Sequence, residues 1–451
     1  MNKNSTYPNI LIKNSGLNFL TQIWLLLVFI VTTPIIVHRL GNEAYGIFSL
    51  AMVVIGYFSF VDLGLSQATL KFISEYLEKN EEKNIYQLVR VSLTVTLMLG
   101  ILGGIVIVLI TPLLVNRVFN IVSHFRYQAK FTFYLLAAGF PFFLLHGTLQ
   151  AIPAAFQRFG TINLINGIGG TLQALCATLI VSIGLGLKEV AIVYVVIRAL
   201  LTLAYLLVLF NLLPKARLYL TCQWDIFKKL LHFGKWIFVS YIIGPIMANL
   251  DRLLIGALLS LAAVSYYTVP YGMVIKIGII SGSISSVIFP AFSGQSVLTD
   301  KTPFKNLFLR SLRLLVFAIF PFSCIIFVFA YEILKMWIGV DFAQNSAIVT
   351  QILTFAVMLN GLAMIPYVAI QGMGRPDITA KLHLAEVPVY IVLSLVLLPV
   401  FGINGVAFAW AIRVVLDTIL LFWFVNRLTH LGSAALFFYP FKRSLFFGLF
   451  L

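Results

Sequence analysis

The chain has 451 residues, of which 61% are hydrophobic and only 10% are charged, and its formal net charge is +16. A soluble globular protein is about 45–50% apolar and about 25% charged, so this composition excludes an ordinary soluble fold. The sequence therefore predicts an all-α protein, a polytopic membrane helix bundle.

Twelve stretches are long enough to cross a bilayer, which requires about 20 apolar residues each. In chain order they lie near 16–37, 45–67, 88–114, 131–152, 162–186, 190–213, 234–256, 262–290, 311–333, 348–371, 382–401 and 404–427. Residues 428–451 resume an apolar pattern that stops after about seven residues, which is too short to cross. We expect the start of an incomplete thirteenth span there, and a short interfacial tail is the alternative.

The two halves of the chain resemble one another at a nearly fixed offset. Pro153 to Gln157 is repeated about 214 residues later at Pro366 to Gln371, and Arg198 is repeated at Arg413, an offset of 215. Because six spans is an even number, both halves enter the membrane in the same orientation, and the repeat is parallel. The predicted organisation is two six-helix lobes, residues 1–213 and 234–427. A cytoplasmic amphipathic linker, 214–233, joins them, and the incomplete span, 428–451, follows the second lobe.

The basic residues are distributed asymmetrically about the predicted spans. Of the 31 Lys and Arg residues, 21 fall on one side, six fall on the other and four lie inside spans. The positive-inside rule then places the N-terminus and the 214–233 linker in the cytoplasm. The net charge is accounted for by topology and by contact with anionic membrane lipids, so it does not indicate nucleic acid binding.

The sequence carries no catalytic signature that we recognise. The six histidines have no paired-ligand spacing, the three cysteines form no C-x-x-C motif, and there is no nucleotide-binding motif. No predicted loop outside the membrane exceeds about 20 residues. We therefore expect no enzyme activity, no metal site and no cofactor.

The informative residues are the charged ones inside spans, because a charged side chain at mid-bilayer costs at least roughly 2.5–3.5 kcal/mol. Such residues usually face the interior of a bundle or water. The acids and the bases are four each: Asp62, Asp251, Glu386 and Asp417 against Arg198, Arg252, Lys276 and Arg413.

Structural explanations compete with a binding role at several of these positions. Arg252 can pair with Asp251 or reach the membrane surface. Arg198 and Arg413 can be a duplicated structural contact, and Asp62 can be a helix cap. Lys276 is the hardest to explain structurally, because about a dozen residues of its span lie on each side.

Several motifs resemble one transporter family over nearly the whole chain. Arg39 to Gly46 and Asp62 to Leu65 look like the opening of the polysaccharide-lipid flippases, which are Wzx-type proteins of the MATE-like superfamily. Asn249 to Gly256 is similar to the seventh span of that family. Gln371 to Pro376 and Gly402 to Ala407 fit its tenth-to-twelfth region.

The resemblance implies two lobes around a cavity that opens alternately to each side. It implies transport of undecaprenyl-diphosphate-linked oligosaccharide repeat units, from the cytoplasmic to the outer leaflet of the bacterial cytoplasmic (inner) membrane. By position, it makes Arg252 the first candidate for a diphosphate contact. The further substrate candidates are Lys276, Arg39, Arg198 and Arg413, and the candidates for binding a coupling cation are Asp62 and Asp251.

Other functions remain open at this point. A MATE-type cation-coupled drug or metabolite exporter would share the fold, and the equal numbers of buried acids and bases do not discriminate against it. A polymerase or ligase of sugar units would need a large catalytic outer loop, and none is present. A non-transporting scaffold has no feature in its favour. The polysaccharide polymerase machinery is a candidate partner of a flippase.

Overall fold

The computed structural model describes residues 7–215, 221, 223–296 and 302–429, and every regular element within them is helical. The predicted incomplete span at 428–451 lies almost entirely outside the described residues. The described residues form fifteen α-helices, in chain order α1 Tyr7–Leu40, α2 Asn42–Tyr57, α3 Leu65–Glu78, α4 Glu82–Leu113, α5 Arg126–Ala155, α6 Phe159–Ser182, α7 Leu187–Leu212, α8 Trp224–Leu258, α9 Leu261–Val274, α10 Gly278–Ser296, α11 Thr302–Val328, α12 Ala330–Trp337, α13 Val340–Gly372, α14 Pro376–Phe401 and α15 Ile403–Thr429.

The chain is a multi-pass membrane protein. Eleven helical segments among the described residues are long and apolar enough to cross a membrane, and each coincides with one of the predicted spans. The remaining predicted span, 234–256, lies within α8, whose side chains are not described at 232–245. The count of twelve spans plus an incomplete thirteenth therefore stays a prediction.

Large apolar side chains cover the outside of these helices. Leu109, Leu179, Leu207 and Phe317, from α4, α6, α7 and α11, are all exposed. In water such a surface would drive aggregation, whereas in a bilayer it is the surface that faces lipid. The exposure of apolar residues is thus consistent with the composition.

The chain forms two compact units, Met1–Ser265 and Tyr266–Leu451. In the first unit, α3, α4, α5, α7 and α8 share one hydrophobic core, to which Leu65, Leu88, Leu149, Tyr205 and Leu230 contribute fully buried side chains. In the second unit, α13 packs against α10, α11, α12, α14 and α15. The division by packing falls after Ser265, whereas the division by sequence repeat falls at 214–233, because α8 packs against α2 and α3 of the first unit.

The segment predicted as a surface linker is the beginning of α8. Residues 224–233 continue without a break into the rest of this 35-residue helix. Leu230 is fully buried in the first unit's core, and the Lys229 ammonium donates a hydrogen bond to the Tyr76 hydroxyl on α3 at 2.8 Å. The apolar face of this segment is therefore buried against protein at Leu230.

Gly46 lies where α2 approaches the start of α9. A Cβ atom at this position would overlap the backbone carbonyl of Leu261, which cannot move aside as a side chain can. On the same helix, Gly56 has no described atom within 4 Å of the place where a Cβ would stand. The two glycines form a matched pair that differs in the space around them.

We expect Gly46→Ala to lower the free energy of unfolding by about 1–3 kcal/mol, because overpacking forces backbone to shift. Gly56→Ala is expected to cause no loss, since alanine is the better helix former by about 1 kcal/mol. Thermal unfolding midpoints of the two purified variants in detergent measure the difference. Equal midpoints would contradict the close approach of α2 to Leu261.

Candidate functional site

Arg252 and Asp251 lie on α8 in the first unit. Asp251 is only 1% exposed, and its Oδ1 accepts a hydrogen bond from the backbone N–H of Arg252 at 2.8 Å. Arg252 is half-buried, and its Nη1 donates to Oδ1 of Asn249 at 2.6 Å, one turn earlier. Asn249 therefore fixes the direction of the guanidinium, and it belongs to the same sequence motif as the two charged residues.

Arg198 on α7 lies against an aromatic group of the first unit. Its guanidinium carbon is 4.9 Å from the centroid of the Phe143 ring on α5. Close by, His146 meets Tyr205 edge to face, and the Tyr205 hydroxyl donates to Asn166 on α6 at 3.1 Å. A guanidinium over an aromatic face keeps its donors available at the edges of the plane, so this contact is compatible with anion binding.

Asp62 accepts hydrogen bonds at the beginning of α3. Its carboxylate accepts hydrogen bonds from the backbone N–H of Ser66 at 3.2 Å and from the Ser66 hydroxyl at 3.0 Å. Asp62 lies two residues before Gly64, the N-cap of α3, so it binds the first turn of the helix without occupying the cap position. The Ser66 hydroxyl also contacts that of Thr148, which in turn contacts Thr96. Asp62 thus ends a chain of hydroxyl groups, of which Ser66 is half-buried and Thr148 and Thr96 are buried, and its role in ion coupling stays a prediction.

Two further basic candidates have different environments. Arg39 is exposed in the last turn of α1. Lys276 is half-buried in the second unit, within the short 3₁₀ turn Ile275–Ile277 that separates α9 from α10. An interrupted helix inside a membrane is tolerated where protein or water replaces the lost backbone hydrogen bonds, so the break is consistent with Lys276 facing a polar environment.

Arg413 is held by a carboxylate inside the second unit. Its Nη1 lies 3.1 Å from Oε2 of Glu386, and both side chains are buried. Asp417, one turn further along α15, is also buried. His383, Glu386 and Asp417 each offer one atom that could bind a metal, and these three atoms lie within 4.8 Å of one another. The guanidinium beside Glu386 repels cations and makes this a poor site for a divalent metal.

Within each unit, the structure brings some of the predicted residues together. Asp251 and Arg252 adjoin on α8, whereas Arg413 has a carboxylate partner. His383 was passed over in the sequence because the histidines are scattered. A usable signal existed, since His383 and Glu386 are spaced i, i+3 on α14 while Arg413 and Asp417 are spaced i, i+4 on α15, which places each pair on one helix face.

A basic surface cavity lies at one end of α14 and α15. It has a volume of about 650 Å³, and its lining includes Arg375, Lys381 and Arg427 together with apolar side chains such as Leu382 and Phe424. Asp377 pairs with Arg375 at 2.9 Å and with Lys381 at 3.9 Å, so the cavity keeps a positive balance. All three basic residues belong to the cytoplasmic side in the predicted topology.

Comparison with known proteins gives one family match and two informative relatives. The model of a family described as polysaccharide biosynthesis protein matches residues 36–347. A protein of Shigella flexneri that carries the name of an O-antigen transporter is 28% identical over 93% of this chain and 98% of its own length. A Haloferax volcanii protein named as the low-salt glycan biosynthesis flippase Agl15 is 25% identical over 43% of this chain and 41% of its own length.

Solved structures show the same fold at low sequence identity. A multidrug resistance MATE family transporter of the MOP superfamily, in an inward-facing conformation, superposes with a TM-score of 0.75 at 15% identity, over 92% of this chain and 98% of the other. Lipid II flippase MurJ superposes with a TM-score of 0.74 at 14% identity, over 96% of this chain and 92% of the other. The prediction of an all-α membrane helix bundle of the MATE-like kind is confirmed.

Proposed function

This chain belongs to the polysaccharide biosynthesis protein family, as its sequence motifs predicted, and we propose that it is a transporter that flips undecaprenyl-diphosphate-linked oligosaccharide repeat units. The observation that carries the proposal is the relative from Shigella flexneri, since the match extends over 93% of this chain and 98% of that protein. A match of this extent includes every candidate site rather than one domain. The chain is thus placed among transporters and not among the enzymes that build the glycan.

To be flipped, the lipid-linked substrate has to carry its charged diphosphate through the membrane. A diphosphate headgroup cannot cross hydrocarbon unaided, because the loss of its hydration is uncompensated there. Cationic side chains in a walled cavity would offset that loss, with guanidinium binding phosphate by two hydrogen bonds at once. Arg252, whose direction is fixed by Asn249, and Lys276, at a break between two helices, are the best placed for this role. Arg413 is the weakest candidate, because Glu386 already binds it.

A MATE-type drug or metabolite exporter remains the alternative. The MATE transporter superposes well, but at 15% identity that likeness supports only the fold. The O-antigen transporter relative is 28% identical across nearly the whole chain, and the family description is likewise one of polysaccharide biosynthesis. These observations favour the glycan over a drug.

The proposed setting is the bacterial cytoplasmic membrane, with the N-terminus in the cytoplasm. The asymmetry of basic residues supports this orientation. In that orientation the basic cavity at Arg375, Lys381 and Arg427 lies at the headgroup level of the inner leaflet, where anionic lipids are a suitable partner. The polymerase that consumes the flipped unit is a further proposed partner.

Reconstitution tests the function directly. Purified protein is placed in liposomes that contain a short-chain polyprenyl-diphosphate oligosaccharide, and an impermeant glycosidase digests the sugar exposed on the outside. We expect protein-containing liposomes to expose the whole lipid pool to digestion, whereas empty liposomes expose only the outer half. Digestion that stops at half in the presence of folded protein, together with uptake of cationic drugs, would favour the exporter.

A further inference from the structure

A cluster of charged side chains is buried in the second unit where α14 meets α15, and the proposed transport of an anionic lipid does not account for it. Glu386, Arg413 and Asp417 are 5%, 8% and 4% exposed. They lie inside two segments that cross the membrane, far along each helix from its ends. Groups of this kind are costly in a membrane unless their charges are balanced.

The charges of the cluster do not balance as they stand. The two carboxylates contribute two negative charges and the Arg413 guanidinium contributes one positive charge. His383, the remaining titratable neighbour on α14, adds no charge in its neutral form. One negative charge is left over in a buried site, where an uncompensated charge strongly destabilises the folded state.

The positions of the oxygen atoms show where compensation is needed. A carboxylate oxygen of Glu386 lies within 4.8 Å of one of Asp417, while Oε2 of Glu386 faces Arg413 at 3.1 Å. Among the described residues, no donor reaches Oε1 of Glu386 or Oδ1 of Asp417. Ionised carboxylates only accept hydrogen bonds, so two of them cannot bond to one another without a proton. Paired carboxyl groups in proteins solve this problem by sharing one proton.

We propose that Glu386 and Asp417 form a proton-binding site that holds one exchangeable proton between the two carboxyl groups at neutral pH. The proton completes the charge balance and supplies the missing hydrogen bond in one step. A sodium ion is the competing occupant. It is disfavoured because the Arg413 guanidinium, 3.1 Å from Glu386, would stand beside it and repel a second cation.

The other charged and titratable groups around the pair have defined positions. Arg413 lies on α15 and is itself within 6 Å of the Tyr390 and Trp410 rings, at 5.9 and 5.8 Å from their centroids. His383 on α14 stacks against Tyr367 of α13, with ring centroids 5.8 Å apart. Among the described residues, His383 is therefore the neighbour that could hold the proton in place of the carboxyl pair, and the experiment has to separate the two.

Infrared spectroscopy of the purified full chain in detergent at neutral pH provides the test. A protonated carboxyl group has a carbonyl stretching band that carboxylates lack and that shifts in D₂O. The difference between the wild-type spectrum and that of Asp417→Asn should contain this band, because Glu386 and Arg413 then balance each other without a proton. Glu386→Gln should remove the same band for the same reason, and it serves as the second variant if the first fails to fold. His383→Ala should retain the band.

Three results would overturn the proposal. They are the absence of the band from both difference spectra, its appearance only in folded His383→Ala, and its disappearance when sodium is added at constant pH. The last result would identify a sodium site. Because the readout is protonation in purified protein, the outcome does not depend on whether the chain flips lipid-linked glycan.

Discussion

Arg413→Leu is expected to lower the free energy of unfolding by about 3–5 kcal/mol at neutral pH, because it leaves buried carboxyl groups without their cation. Glu386 loses a partner at 3.1 Å, and Asp417 remains beside it. The defect should shrink as the pH is lowered, since protonated carboxyl groups need no countercharge. Thermal unfolding midpoints of the purified variant in detergent, measured over a range of pH, give both effects.

The chain supplies a matched control in a second arginine–carboxylate pair. Arg375 lies 2.9 Å from Asp377 at the beginning of α14, but both side chains are exposed. Exposed pairs add little to stability because water and salt screen them, so Arg375→Leu should leave the midpoint nearly unchanged. The double variant Arg413→Leu/Glu386→Leu should regain much of the loss. Equal effects of Arg413→Leu and Arg375→Leu would show that burial of the Arg413 pair is incorrect.

Hydropathy located the membrane helices because length and apolar character are sufficient evidence for a span. It did not locate their ends. The third span was predicted from residue 88, whereas α4 begins at Glu82, and the ninth was predicted from 311, whereas α11 begins at Thr302. Helices continue into the polar headgroup region, where charged residues no longer signal a boundary.

The internal repeat predicted equivalent positions but not equivalent contacts. Arg198 and Arg413 occupy matching places in the two halves of the sequence, yet one lies over the Phe143 ring and the other binds Glu386. A contact depends on what the neighbouring helix presents, and α14 carries a carboxylate. A single sequence gives the helix face of a residue, whereas its partner depends on how helices pack.

The sequence also did not predict the interruption between α9 and α10 at which Lys276 lies. Pro270 precedes the break, but α9 continues past it to Val274 and the 3₁₀ turn follows at Ile275–Ile277. Proline bends a helix without fixing where the next turn tightens. The position of Lys276 at the break is thus a result of the structure, while its presence within a span was evident from the sequence.

Arg252→Ala is expected to abolish export of surface glycan while leaving the protein folded and inserted. The guanidinium lies half-buried on α8 with its direction set by Asn249, and under our proposal it binds the diphosphate of the substrate. Arg252→Lys should restore only part of the activity, because an ammonium cannot reproduce the two-pronged donor geometry of guanidinium. Surface glycan on cells that depend on the variant, normalised to the amount of membrane-inserted protein, is the measurement.

Lys83→Ala is the matched control for charge, because it removes a cation from the same unit at an exposed position and should leave export unchanged.

Lys276→Ala tests the second predicted contact, and we expect it to reduce export as well. The double variant Arg252→Ala/Lys276→Ala decides between the explanations. Full export by that variant at normal protein levels would exclude both residues from substrate binding, while loss of folded protein would assign them a structural role. An inactive protein that remains folded supports the diphosphate contact, because Arg252 and Lys276 would then matter to the substrate and not to the fold.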